Sequence, residues 1–244
     1  MSVREEFDEW AADGRDKGME ERHWHTAKHV LARMPIEGSE ARRASDEASG
    51  SAGPRDGDTV LDLGCGSGYA ARAMREAGGA GRAYGLDGSP EMVSNASEYT
   101  DDANTGFLVG DFEQLPFASG SVDHVFSMEA FYYASDPMAA LEEIRRVLRS
   151  GGTFYCAVDF HADNPHTAEW TEYVDIEMTR WSREEYREHF REAGFYVAEQ
   201  DAIPDREVEI PPASEFPTED WETREAMVEH FREHGTLLTV GVAP

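Results

Sequence analysis

Short apolar runs, each long enough for a buried strand, alternate along most of this chain with apolar residues at helical spacing. The first run is Val60-Leu61-Asp62-Leu63. Ala70, Ala73, Met74 and Ala77 follow at helical intervals, and Gly78-Gly79 stops that helix. Arg82 to Asp87 predicts a second strand, Ser89-Pro90 a capped helix start, Gly106 to Asp111 a third strand and Val122 to Ser127 a fourth. Asp136-Pro137 opens a helix whose buried stripe is Met138, Leu141, Ile144 and Leu148. Ser150-Gly151-Gly152 ends it, and Thr153 to Val158 is the fifth strand. Ser182 to Glu185 has the form of a capping box, opening a helix that buries Tyr186, Phe190 and Ala193. Phe195 to Glu199 and Leu237 to Val242 are the last two strands.

The turn after the first strand carries candidate chemistry. Gly64, Gly66 and Gly68 alternate through it. Glycine there supplies positive φ for a tight turn and leaves room for a ligand against the backbone, with the N–H groups of the following helix facing that ligand. The dinucleotide fingerprint Gly-x-Gly-x-x-Gly does not fit, because the third glycine comes one residue early and Tyr69 takes its place. Asp62, just before the first glycine, suits an ammonium group better than a pyrophosphate. Asp87 closes the second strand 25 residues after Asp62, and Asp111 closes the third 24 residues after Asp87. An acid at the position of Asp87 takes ribose hydroxyls in nucleotide-binding α/β units.

With these motifs, and with Leu115-Pro116-Phe117 and Glu142-Glu143-Ile144 before Gly151-Gly152, the stretch from about Asp58 to Phe160 resembles the class I S-adenosylmethionine (SAM)-dependent methyltransferases, small-molecule type, with quinone-biosynthesis enzymes as the nearest sub-resemblance. The resemblance implies an α/β, Rossmann-like seven-stranded sheet whose last strand pair is antiparallel. It implies SAM as cofactor, held by Asp62, Gly64, Cys65, Gly66, Gly68, Asp87, Gly88, Ser89, Met92, Asp111, Phe112 and Met128. Asp87 would take the ribose and Asp111 the adenine amino group, with Phe112 beside the ring. Met128-Glu129-Ala130-Phe131 at the end of the fourth strand does not match the Asn/Asp-Pro-Pro-Tyr motif of methyltransferases acting on base or amide nitrogens. Glu129 and Tyr133 there are candidates to face the acceptor, although aromatic packing accounts equally well for Tyr132 and Tyr133.

Residues 1–53 precede the core and read as a helical cap with a linker; residues 54–244 read as the SAM-binding domain. Phe7 and Trp10 lie in a short first helix broken by Gly14 and Gly18. Glu20 to Met34 is a second helix with Trp24, Ala27, Leu31 and Met34 on one face, ended by Pro35. Residues 36–53, rich in Ser, Ala and Gly, read as a mobile linker. His25, on the second helix, is a candidate neutral base facing the acceptor. His25 and His29 share a helical face, but Thr26 stands where a zinc-protease motif needs Glu, and no metal is expected. Residues 161–181 and 206–235 read as substrate-side insertions, the second containing a helix near Trp221 to Glu233.

The charge is extreme. Acids number 50 and bases 22, for a net −28, and only Lys17 and Lys28 among the bases are lysines. Such a surface repels nucleic acid. It also suits multimolar salt, where self-repulsion is screened over about 3 Å, and an extreme halophile is the expected source. Cys65 and Cys156 read as packing residues. No apolar run approaches 18 residues and the N-terminus lacks an apolar signal segment, which predicts a cytoplasmic chain without a membrane span. The expected function is methyl transfer from SAM to a small molecule. A non-catalytic SAM-binding regulator or partner subunit stays open, as does a nicotinamide-dependent oxidoreductase. Oligomeric state is not legible.

Overall fold

The computed structural model describes residues 3–38, 56–168, 170, 176–218 and 220–244. The core of the expected linker, and Tyr173 in the first insertion, lie outside the described residues.

Seven strands form one sheet in the order β3-β2-β1-β4-β5-β7-β6. They are β1 (Thr59–Leu63), β2 (Arg82–Asp87), β3 (Thr105–Val109), β4 (Val122–Met128), β5 (Leu148–Val158), β6 (Tyr196–Ile203) and β7 (Thr236–Val242). The first five run parallel, and β7 lies antiparallel between β5 and β6, as the resemblance implied. Chain order reverses between β1 and β4, so the crevice at their carboxyl ends is the place where such sheets take ligands. Every residue of β4 is buried, as expected of a central strand covered on both faces.

Helices cover both faces. The first two, α1 (Val3–Ala12) and α2 (Met19–Leu31), precede the sheet. They are followed by α3 (Tyr69–Glu76), α4 (Pro90–Glu98), α5 (Pro137–Val147), α6 (Arg183–Glu192) and α7 (Arg224–Val228). The expected caps are in place. Ser89 Oγ accepts from Met92 N and Asp136 Oδ1 from Ala139 N, while Ser182 and Glu185 close a full capping box.

Four elements differ from expectation. Helix α5 stops at Val147, not at the glycine pair, because Leu148 already pairs with Val122 as the start of β5. Strand β3 ends at Val109, leaving Asp111 two residues beyond it in the loop. Trp24 is 38% exposed, and the buried face of α2 is Thr26, Ala27 and Val30, continued by Met34. The helix expected near Trp221 to Glu233 is a short α7 that runs into a π-helical turn, Glu229–His234. Among the described residues no helix is long and apolar enough to cross a membrane.

Candidate functional site

The carboxyl ends of β1, β2 and β4 open into a cavity whose empty space, open mouth included, is about 830 Å³. The turn after β1 is tied to β2: Gly64 N and Cys65 N both donate to Leu86 O, at 2.8 and 3.1 Å. Asp87, at the end of β2, accepts from Gly66 N through Oδ2 and from Ser89 N through Oδ1, each at 2.9 Å. Burial raises the Asp87 carboxyl, and these backbone donors pull it back toward the ionised form. A carboxylate fixed at both oxygens keeps free lone pairs in a defined direction.

The three glycines do different jobs. A Cβ on Gly64 would strike Ala130 Cβ at 2.2 Å, so this glycine lets the loop after β4 pack on the turn. Gly68, with φ +78°, precedes α3, and a Cβ there would meet Phe107 at 2.5 Å. It permits close packing of α3 on β3 and does not line the cavity. Gly66 faces the cavity; a Cβ there would meet only the tip of Met19, at 3.0 Å, a flexible side chain from the N-terminal segment. Gly88 also lines the cavity, with nothing within 4 Å of a built Cβ.

Asp62 and Cys65 are corrected by the same geometry. Asp62 is 2% exposed and absent from the cavity wall. Its Oδ2 accepts from Ala71 N at 3.1 Å, in the first turn of α3. Gly68 supplies no side-chain cap, so Asp62 caps that helix from the strand below. Burial and, less, the neighbouring Asp87 push its carboxyl up to about 7 against that hydrogen bond. The Cys65 side chain instead lies over Gly85 of β2, where a Cβ would meet its Sγ at 2.8 Å. Burial raises its thiol well above the usual range, which suits a packing residue.

Ser89, Met92, Asp111, Phe112, Met128, Glu129 and Tyr133 all line the cavity. Glu129 sits just past β4 with φ +50°, a region uncommon outside glycine. Its N–H donates to Ala157 O at 3.0 Å. Its Oε1 accepts from Asp159 N, and Oε2 from Tyr132 Oη at 3.0 Å. Burial, then the nearby Asp159, raises the Glu129 carboxyl well above the ordinary carboxylate range, against the hydrogen bonds from Asp159 N and Tyr132 Oη. Burial also pushes the Tyr133 phenol up to about 12. At this end of the cavity burial therefore disfavours the charged forms of both groups, whereas the other end presents the carboxyls of Asp87 and Asp111.

The N-terminal segment forms the remaining wall. Val3, Arg4, Phe7, Met19 and His23 line the cavity, and the ring of Phe7 meets that of Tyr133 edge-on at 5.1 Å. Two acids anchor it to α4, Asp16 buried and Asp8 half-buried. Asp8 accepts from Ser89 Oγ, and Asp16 Oδ2 accepts from Asn95 Nδ2 at 3.2 Å and Tyr99 Oη at 3.0 Å. Arg4 reaches Asp111 at 3.3 Å. His25 does not reach the cavity. Its Nε2 lies 3.1 Å from Pro204 O, and Nδ1 lies 3.5 Å from both Asp205 and Glu207. The histidine in the wall is His23, two positions away on the opposite side of the helix, and burial, then Arg22, lowers its pKa to about 4. Met19, His23 and Phe7 were missed as site residues. The stripe Ala27, Val30, Met34 was the available signal, since it turns Trp24 outward and His25 away from the sheet crevice.

Residues 61–156 match the model of the methyltransferase domain family. A chain of the solved complex between the Haloferax volcanii Trm112 methyltransferase activator and a protein named only as a methyltransferase is 63% identical, covers 100% of both chains and superposes with a TM-score of 0.89. A SAM-dependent methyltransferase structure from Thermotoga maritima covers 99% of both chains with a TM-score of 0.65, at 17% identity, and so attests the fold alone. Malonyl-[acyl-carrier protein] O-methyltransferase of Hahella chejuensis is 36% identical over 98 residues, 40% of this chain and 35% of that protein. The chain spans about a third of the length of the curated relatives it matches.

Proposed function

This chain belongs to the SAM-dependent methyltransferases, and from that premise we propose that it transfers the methyl group of SAM to a small, uncharged acceptor, as the catalytic partner of a Trm112-type activator subunit. What supports this reading above all is Asp87, a strand-end carboxylate held by two backbone N–H groups beside the open glycines Gly66 and Gly88. That cradle fits a ribose diol, which needs an acceptor in fixed orientation and no Cβ in its way. Asp111 and Phe112 then stand by for an amino-purine edge and face, and Met92 and Met128 supply apolar contact.

When bound, SAM supplies a methyl group already activated on a sulfonium. The chain's own residues align the reactants and keep water out, which is worth much of the barrier in a displacement. Phe7, Met19 and Met128 close the cavity with apolar surface. Tyr133, Glu129 and neutral His23 give the acceptor end hydrogen-bonding groups whose charged forms burial disfavours. His23 takes a proton only from an acceptor that has become strongly acidic during transfer. The full-length 63% match supports the activator partnership. The excess of acids and the two lysines support adaptation to high salt, and Val3, Phe7 and Met19 in the cavity wall support a lid role for residues 3–34.

Calorimetry with SAM, S-adenosylhomocysteine and NAD tests the reading. SAM and S-adenosylhomocysteine should bind and NAD should not, and Asp87→Ala should weaken SAM by about 1–3 kcal/mol, the scale for a charge-assisted hydrogen bond. Unchanged affinity in the variant, or tighter NAD than SAM, refutes it. Transfer of labelled methyl into a metabolite extract, with and without the co-expressed activator, tests the acceptor class and the partnership.

A further inference from the structure

We propose that His166, Glu229 and His234 form a binding site for a divalent transition-metal ion of the zinc class, separate from the SAM cavity. One nitrogen or oxygen of each residue lies within 4.8 Å of the others. His166 Nε2 is 3.4 Å from Glu229 Oε2, and His234 Nε2 is 3.6 Å from Glu229 Oε1. Donors around a tetrahedral zinc at ~2.0–2.1 Å stand about 3.4 Å apart. The two pairs measured against Glu229 are therefore already near the spacing that a shared ion imposes.

Three features make this more than a chance meeting of side chains. First, the π-helical turn Glu229–His234 bonds residues five apart, which turns Glu229 and His234 to the same side; an α-helix would splay them. Second, His166 is held from behind. It sits in a 3₁₀ turn, Pro165–Thr167, whose start is fixed by the fully buried Asn164. Asn164 Oδ1 accepts from His166 N at 3.2 Å, and its Nδ2 donates to Asp159 O at 3.1 Å. These bonds fix the backbone turn that carries the imidazole. Third, His166 Nε2 is buried and makes no hydrogen bond; it faces Glu229 Oε2 at 3.4 Å without bonding it, a gap that a shared ion would fill.

The donor set, two imidazoles and one carboxylate, favours zinc and its neighbours over magnesium or calcium. Three protein ligands leave a fourth position for water or an outside donor. The Glu229 and His234 side chains are 50% and 29% exposed, which gives the ion a path in. Once bound, the ion fastens the end of α7 to the turn after β5. The site does not depend on the reading of the SAM cavity.

The test uses the full chain, stripped with a chelator and kept in excess Mg²⁺ so that surface carboxylates are occupied. Titration with Zn²⁺ against a chromophoric chelator should give one tight equivalent. Co²⁺ should give the intense visible bands of a four-coordinate nitrogen–oxygen site. His166→Ala and His234→Ala should each weaken Zn²⁺ at least tenfold, and the shape-conserving Glu229→Gln should do the same while the melting temperature of the metal-free protein stays near the parent's. His29→Ala is the control, because the His25 and His29 rings lie 4.7 Å apart and are the competing pair. Absence of a tight equivalent in the parent, Co²⁺ bands of a six-coordinate ion only, or loss of binding in His29→Ala but not in Glu229→Gln would each overturn the proposal.

Discussion

Replacing Asp62 by asparagine isolates a carboxyl that the fold holds in the wrong charge state. Its pKa is about 7 in the folded chain, against 3.8 for the ordinary group, because burial outweighs the bond from Ala71 N. Between those values the folded state holds a proton that the unfolded chain has released. Stability therefore falls as pH rises through this window and levels off above about 7. From pH 5.5 to 8.5 the unfolded carboxyl is already ionised, and the folded one ionises across roughly 1.5 pH units of that range. At 1.36 kcal/mol per unit this removes about 2 kcal/mol. Asparagine keeps a carbonyl for Ala71 N and cannot ionise, so Asp62→Asn should lack this loss. The measurement is urea unfolding of both proteins at fixed high KCl across pH 5.5–8.5. Subtracting the two curves cancels every group they share. The variant should gain about 2 kcal/mol on the parent between the two ends, with most of the change below pH 7.5. A flat difference across this range would show that Asp62 is already ionised in the folded chain at pH 5.5, and so is not held protonated beneath α3.

Two further outcomes are expected. Asp16→Ala removes the acceptor for Asn95 and Tyr99, so it should weaken SAM binding several-fold and expose residues 3–35 to limited proteolysis; unchanged protease resistance would show that other contacts hold the segment. The net charge of −28 should make the melting temperature climb steeply between about 0.1 and 3 M KCl, because the screening length shrinks from ~10 Å to 3 Å or less; a flat melting profile would require an account of the acids by a partner.

The meeting of Asp87 with the Gly66 turn was legible in the sequence because it is local. A strand-end acid and a glycine turn meet wherever two parallel strands are neighbours. Gly68 looked identical to Gly66, yet its constraint comes from Phe107 on β3, a contact that no local pattern contains. Asp62 looked like a ligand because it precedes the glycines, but strand alternation turns it inward beneath α3. His25 was chosen for its chemistry and its helix. Periodicity states which residues share a face; the rotation of that helix against the sheet is fixed by what it buries. Trp24, the largest apolar residue, suggested a face centred on it; the buried stripe is Thr26, Ala27 and Val30, which leaves Trp24 at its exposed edge. The π-helical turn was not legible because its composition is that of an ordinary helix end; only the chain path into β7 selects it.

The contact between Arg4 and Asp111 makes entry to the cavity a competition. Both side chains are well exposed, at 48% and 70%, and an exposed pair of this kind is worth at most ~1 kcal/mol in dilute buffer. An incoming amino group that uses Asp111 displaces a guanidinium, and the arriving ligand is discounted by whatever that pair was worth. Dissolved salt erases the discount first, since exposed pairs are screened before buried hydrogen bonds such as Asp87 with Gly66. The same ions that quiet the acidic surface therefore loosen the Arg4–Asp111 contact first, while Asp8 and Asp16 go on holding the N-terminal segment to α4.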